Sequence, residues 1–177
     1  EIEWHVAADP RLAPCLPRRR GIMPVTTKHS VDGALSVARW YEVTLPGIIA
    51  DLKPDVVFSQ TNYLPHRPIS APSLLLVQHA GHFSPEFQRL TLAGASLLQA
   101  AAWRMKRRWV HHSVRRATTV TVQTAALADA IRATTGVPAS RLVVIPHGFG
   151  AIIEPRAPQP FPTKRGWRIG YVTKAGI

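Results

Sequence analysis

Residues 117–149, ATTVTVQTAALADAIRATTGVPASRLVVIPHGF, leave few folding options open. Residues 119–123 form a β-branched run. Thr124 then stands where a helix N-cap belongs, and the helix is expected to run through Thr135. Gly136 and Pro138 stop it. Residues 142–145 form a second apolar run, closed by Pro146, His147 and Gly148. The separation suits a helical crossover, so the two runs are expected to lie parallel in one sheet. Their unbroken apolar character predicts strands covered on both faces. Open α/β sheets bind ligands beyond the carboxyl ends of their strands, so chemistry is expected at those tips.

The rest of the chain extends this pattern. Residues 1–8 read as a strand, 9–21 as a loop rich in Pro and Arg, and 22–25 as a short strand. Residues 34–52 carry helical periodicity, with a kink expected at Pro46. Residues 56–59 and 73–78 read as strands. Residues 85–116 read as two helices broken near Gly94. The expected fold is a Rossmann-like parallel sheet flanked by helices over residues 1–154. A Pro-rich linker over 155–166 and the first strand of another domain over 167–177 are expected to follow. The competing arrangement pairs that last strand with the first sheet.

The chain has 177 residues, 46% of them hydrophobic and 18% charged, which fits a folded protein rather than a disordered one. A single cysteine, Cys15, excludes an internal disulfide framework and fits a reducing compartment. Its neighbours form no set that would activate the thiol. No apolar run reaches the length of a membrane span. The formal net charge of +12 implies an anionic partner: a phospholipid surface, nucleic acid or a phosphorylated substrate. No acidic residue falls between Glu86 and Asp129, where Arg104, Lys106, Arg107, Arg108, Arg115 and Arg116 all lie. Trp103, Trp109 and Val110 interleave with these cations. Three readings of this helix stay open: a membrane-surface helix, a solvated basic face and a nucleic-acid grip.

Parallel strands would set Gln60, Thr61 and Asn62, then Gln78, His79, Gly81 and His82, then Gln123 and Thr124, then His147 and Gly148 along one rim. His79 and His82 are suited to hydrogen-bond a sugar or a phosphate, and Gly81 to let backbone approach a ligand closely. The plainer alternative is that both histidines satisfy loop backbone. No HExxH or Cys-based metal spacing occurs, and His111 and His112 point in different directions on a helix, so no metal site is expected. There is no GxSxG, GxGxxG or Walker A sequence.

Residues 115–149 resemble the segment that ends the N-terminal domain of family 4 glycosyltransferases of the GT-B fold. Members of that family read ADxVIAVSexLrxxLxxxxgvpxxKIxVIPNGvD. PDVVFSQTN at 54–62, SLLLVQHAGHFSPEF at 73–87 and WRIGYVTKAG at 167–176 are similar to other family strands, in the family's order. The resemblance implies two Rossmann-like lobes with the active site between them. The N-terminal lobe takes a glycan or lipid-linked acceptor. The C-terminal lobe takes a nucleotide-sugar donor. Transfer retains anomeric configuration and needs no metal or other cofactor. His79 matches a family position that contacts the transferred sugar or the acceptor. Lys174 stands where many members place an Arg on the donor diphosphate. Lysine keeps the charge there and loses the bidentate fork. Thr173 stands in place of the usual Gly, Gln123-Thr124-Ala125 in place of Val-Ser-Glu, and His147 in place of Asn.

The resulting expectation is an acceptor-side piece of a retaining glycosyltransferase, lacking its first strand and its donor lobe, and inactive alone. Asn62, Gln78, Gly81, His82, Thr124, His147 and Gly148 would bind substrate, with His79 catalytic and Lys174 on the donor phosphate. Arg104, Lys106, Arg107 and Arg108 would face a membrane at its cytoplasmic side. Two other classes compete. A GT-B-like sugar-nucleotide epimerase would need cleft carboxylates, and few acids fall near the tips. A non-catalytic basic module would bind membrane or nucleic acid.

Overall fold

The computed structural model describes residues 2–7, 10–11, 20–25, 27 and 32–146, all within one unit, Glu1–Pro146. His147, Gly148 and Lys174, the linker and the strand expected after it lie outside the described residues. Strands β1 (Trp4–Ala7) and β2 (Ile22–Val25) pair in parallel as a two-stranded sheet. Helix α1 (Gly33–Arg39) passes through a π-helical turn, Trp40–Thr44, into α2 (Leu45–Leu52). The irregularity falls at this turn rather than at Pro46, which stands in the first turn of α2. Proline carries no N–H for an i→i−4 bond, and the widened turn ends two residues before it.

The main sheet has four parallel strands in sequence order. They are β3 (Val57–Ser59), β4 (Ser73–Leu76), β5 (Thr119–Val122) and β6 (Leu142–Val144). Helices α3 (Pro85–Leu92) and α4 (Leu97–Arg116) connect β4 to β5, and α5 (Ala125–Thr135) connects β5 to β6. The break near Gly94 is as expected: Gly94 takes φ +79, and Ser96 with Gln99 closes a reciprocal capping box at the start of α4. Thr124 caps α5 through its hydroxyl, which accepts from the Leu127 N–H at 3.2 Å. Gly136 ends that helix in the left-handed region.

The connection from β3 to β4 contains no helix. It runs along α4, which satisfies its backbone. The Trp109 indole donates to the Leu64 carbonyl at 2.8 Å, and the Ser113 hydroxyl accepts from the Leu64 N–H at 2.9 Å. Tyr41 meets Tyr63 and Trp109 edge-on beside this loop, Tyr63 and Trp109 pack at a tilt, and Glu42 accepts from both the backbone N–H and the ring Nδ1 of His66 at 2.8 Å. Burial pushes the Glu42 carboxyl up, but the His66 bonds and the charges of His66 and Arg67 outweigh it. Its net shift is downward.

Leu75, Val77, Val120 and Val122 face Val110 and Val114 of α4 and Leu127 and Ile131 of α5 in one core. The expectation of cover on both faces holds on β5, where Val120 and Val122 on one face and Thr121 on the other are all buried, and fails on β6, where Val143 and Val144 are both 41% exposed. On the other strands the second face is less covered: Leu74 and Leu76 are half-buried and Phe58 is exposed. An apolar β-branched run fits an edge strand with one covered face as well as a central strand, and burial depends on neighbours far away in sequence. Ile131 is fully buried in the core. Ile131→Ala should lower the unfolding free energy by about 3 kcal/mol, read as a reduced urea midpoint at constant slope.

Candidate functional site at the carboxyl rim

Because the four strands are parallel, their carboxyl ends form one rim. Asn62 follows β3, Gln78 to Phe83 follow β4, and Gln123 with Thr124 follow β5. The structure therefore brings together the expected residues of the first three tips. α5 packs against the turn Ala80–Phe83, which joins the β4 and β5 tips.

Each residue acts differently from its neighbour. Asn62 sits at φ +66, a conformation that asparagine tolerates, and its Oδ1 accepts from the Gln78 N–H at 2.9 Å. That oxygen thus ties the β3 tip to the β4 tip. Gln78 and His79 are exposed. His79 starts a short 3-10 turn, and its Nδ1 accepts from the Gly81 N–H at 3.1 Å. This bond assigns the neutral ring proton to Nε2, so His79 presents an N–H donor to a ligand rather than a base. Thr124 is exposed, with its hydroxyl committed to the α5 cap.

Gly81 is buried, and the reason for glycine differs from the one expected. A Cβ there would lie 2.6 Å from His79 Cε1 and 2.6 Å from the Phe87 ring. The close approach is by these two rings, not by a ligand. His82 is 9% exposed. Its ring packs against His79 at 5.0 Å and Trp103 at 6.1 Å between centroids. Burial, and then the neighbouring His79, His111, Arg107 and Lys106, push its pKa down to about 4, so it is neutral at pH 7. His82 is thus a packed support for His79 rather than an exposed ligand contact.

Helix α4 holds this turn from behind. The His82 carbonyl accepts from Arg107 Nε at 3.0 Å and from His111 Nε2 at 2.9 Å, and His111 stacks on Phe83 with planes 6° apart. Burial lowers the His111 pKa. The His82 bond opposes that shift, and Arg107 and Arg115 add to it. Of the cations expected on one membrane face, Arg107 points inward to this carbonyl, whereas Arg104, Lys106 and Arg108 are exposed. His112 turns the other way, onto His66 at 4.8 Å. The supporting roles of Trp103, Arg107 and His111 were missed in the sequence. Their i, i+4, i+8 spacing marks a single helix stripe and was the available signal.

Two polar atoms at the rim, His82 Nδ1 and Gln123 Nε2, are buried and make no hydrogen bond among the described residues. Buried polar atoms are seldom left unpaired, so the rim has unused hydrogen-bonding capacity beside the His79 donor. Among the described residues no group of three or more His, Cys, Asp or Glu side chains is placed to hold a metal ion.

A parallel α/β half-domain with its polar groups gathered at the carboxyl rim defines the class: a Rossmann-like lobe. The particular family follows from comparison. The family model described as "glycosyl transferase 4-like domain" matches residues 5–148, and the chain belongs to that family. This bears out the resemblance drawn from residues 115–149 and establishes a glycosyltransferase family member. No curated protein and no solved structure matches the chain significantly.

The lowered His82 pKa fixes the sign of a pH effect. The unfolded chain takes up a proton near the ordinary histidine value of 6.5, and the folded chain only near 4. The His82 contribution to stability is therefore complete above about pH 6.5 and is lost as pH falls toward 4, on the order of 2 kcal/mol in all. Urea midpoints of the native protein should drop over that window, and His82→Gln should show a shallower drop. An identical pH slope in both proteins would refute the assignment.

Proposed function

We propose that this chain is the acceptor-side lobe of a retaining glycosyltransferase. It uses a nucleotide-sugar donor held by a second lobe and needs no metal. The observation that carries the reading is the tautomer-fixed His79 donor at the rim, within a family of glycosyltransferases. His79 Nε2–H donates to a hydroxyl or phosphate oxygen of the sugar being transferred, and a fixed donor there strengthens as charge develops. Gln78 and Gln123 orient the acceptor. Asn62, Gly81, His82 and Thr124 hold the rim in shape. His147, Gly148 and Lys174 lie outside the described residues; the family resemblance assigns the first two to substrate and Lys174 to the donor diphosphate.

The same reading places the enzyme at the cytoplasmic face of a membrane, with Arg104, Lys106 and Arg108 toward anionic headgroups. Each cation near such a surface contributes roughly 1 kcal/mol at most. No helix among the described residues is long and apolar enough to cross a membrane.

The test uses the longest reading frame that contains this chain, supplied with UDP-, GDP- and ADP-sugars and cell-envelope lipid extract. The expected result is release of nucleoside diphosphate, with retained anomeric configuration in the product by proton NMR. His79→Ala should lower turnover about 100-fold with little change in the urea midpoint. No nucleotide release from any donor, together with no second nucleotide-binding lobe in the frame, would overturn the proposal.

A further inference from the structure

The amino ends of the same strands carry a second cluster of donors. A cavity of about 90 Å³ opens there between the β3–β4 loop and the end of α4, lined in part by Leu64, Arg67, Ser73, Arg116 and Thr118. Ser73 opens β4 and Thr118 stands just before β5, so the cavity lies at the opposite end of these strands from the His79 rim. The two hydroxyls are locked reciprocally. The Ser73 N–H donates to Thr118 Oγ1 at 3.0 Å, and the Thr118 N–H donates to Ser73 Oγ at 3.1 Å. Each oxygen accepts one bond and still has its own O–H to give. Among the described residues neither O–H has an acceptor, and Ser73 is only 5% exposed. A buried donor is seldom left without an acceptor.

Arg67 and Arg116 are exposed and form no ion pair among the described residues. A basic residue in the last turn of a helix ordinarily offsets the dipole and bonds the last carbonyls. At the end of α4 that work falls to Arg141, whose Nη1 donates to the Arg115 and Ala117 carbonyls at 3.1 Å each. Arg115 Nε is spent on the Thr135 carbonyl at 3.1 Å. Arg116 is left over. Glu42 feels the Arg67 charge, but its carboxylate is bonded to His66 and does not line the cavity. Two guanidiniums that share a small cavity with no acid repel each other until an anion sits between them. We propose that this cavity is an anion site that takes a single phosphate group. Arg67 and Arg116 grip its oxygens, and the Ser73 and Thr118 hydroxyls donate to it. The bound group ties the β3–β4 loop to the end of α4. Inorganic phosphate and the phosphate end of a small monoester share this chemistry. Because the cavity is apart from the carboxyl rim, its occupant is an effector rather than a substrate, and the site does not depend on the transferase reading.

The test titrates the native 177-residue chain with inorganic phosphate and, separately, with glycerol phosphate. Sodium chloride holds the ionic strength constant, and amide chemical shifts with calorimetry give the readout. The expected result is saturation at one equivalent, with the largest shifts at the Ser73 and Thr118 amides. Saturation by either compound bears the site out, and the tighter of the two names the source of the phosphate. Arg67→Gln and Arg116→Gln should each weaken binding about tenfold. Arg116→Lys should weaken it less, because it keeps the charge and loses only the fork. Arg39→Gln, the same charge change at an exposed position on α1, should leave binding as it is. Shifts centred on His79 and Gly81 would put the anion at the carboxyl rim and overturn the proposal. So would shifts that never saturate and are matched by chloride, or equal weakening by Arg39→Gln. The shift map is read on the native chain, so it decides the case even where a variant does not fold. Failure of donor-dependent nucleotide release would leave this result standing, so the two readings can fail separately.

Discussion

Everything described at the rim depends on the seating of α4 against the β4–β5 pair. Val110 and Val114 are fully buried on Leu75, Val77, Val120 and Val122. Burying side chains of this size contributes roughly 1.5–3 kcal/mol each before entropy is counted. That seam sets the rotation of the helix about its axis. Once the valines face the sheet, Trp103, Arg107 and His111 are carried toward the β4 tip, and Trp109 and Ser113 toward the β3–β4 loop. One hydrophobic stripe therefore decides which polar groups meet which backbone.

The consequence is a rim shaped from behind. A carbonyl that accepts from both Arg107 and His111 cannot shift without breaking two bonds, one of them charge-assisted. The turn carrying His79 inherits that rigidity, and the absence of a Cβ at Gly81 lets His79 and Phe87 close over the backbone. The His79 ring is thus held on a rigid support, with its Nδ1 committed to the Gly81 N–H.

The basic helix carries two kinds of cation. Arg107 is structural, because its guanidinium saturates an internal carbonyl. Arg104, Lys106 and Arg108 lie on the exposed side. A count of charges along the helix treats them alike, yet only the exposed ones are available to an anionic surface.

Much of this architecture was legible in the chain. The periodicities of 119–123, 125–135 and 142–145, the cap at Thr124, the stop at Gly136 and the break at Gly94 are local signals, and local signals survive folding. The parallel pairing of β5 with β6 followed from the length of the crossover between them. Three features needed tertiary structure. The apolar run of β6 belongs to an edge with an exposed face, since burial is set by distant neighbours. Gly81 is glycine because two rings converge on it from residues two before and six after. His82, written beside His79 as an equal, is folded inward and stripped of its charge by burial and by Arg107, which lies on a helix twenty-five positions away. Sequence alone determined which elements exist and which edge they share, because those depend on short-range pattern. The division of labour among the rim residues was decided only in three dimensions, because burial and hydrogen bonding are properties of who arrives next to whom.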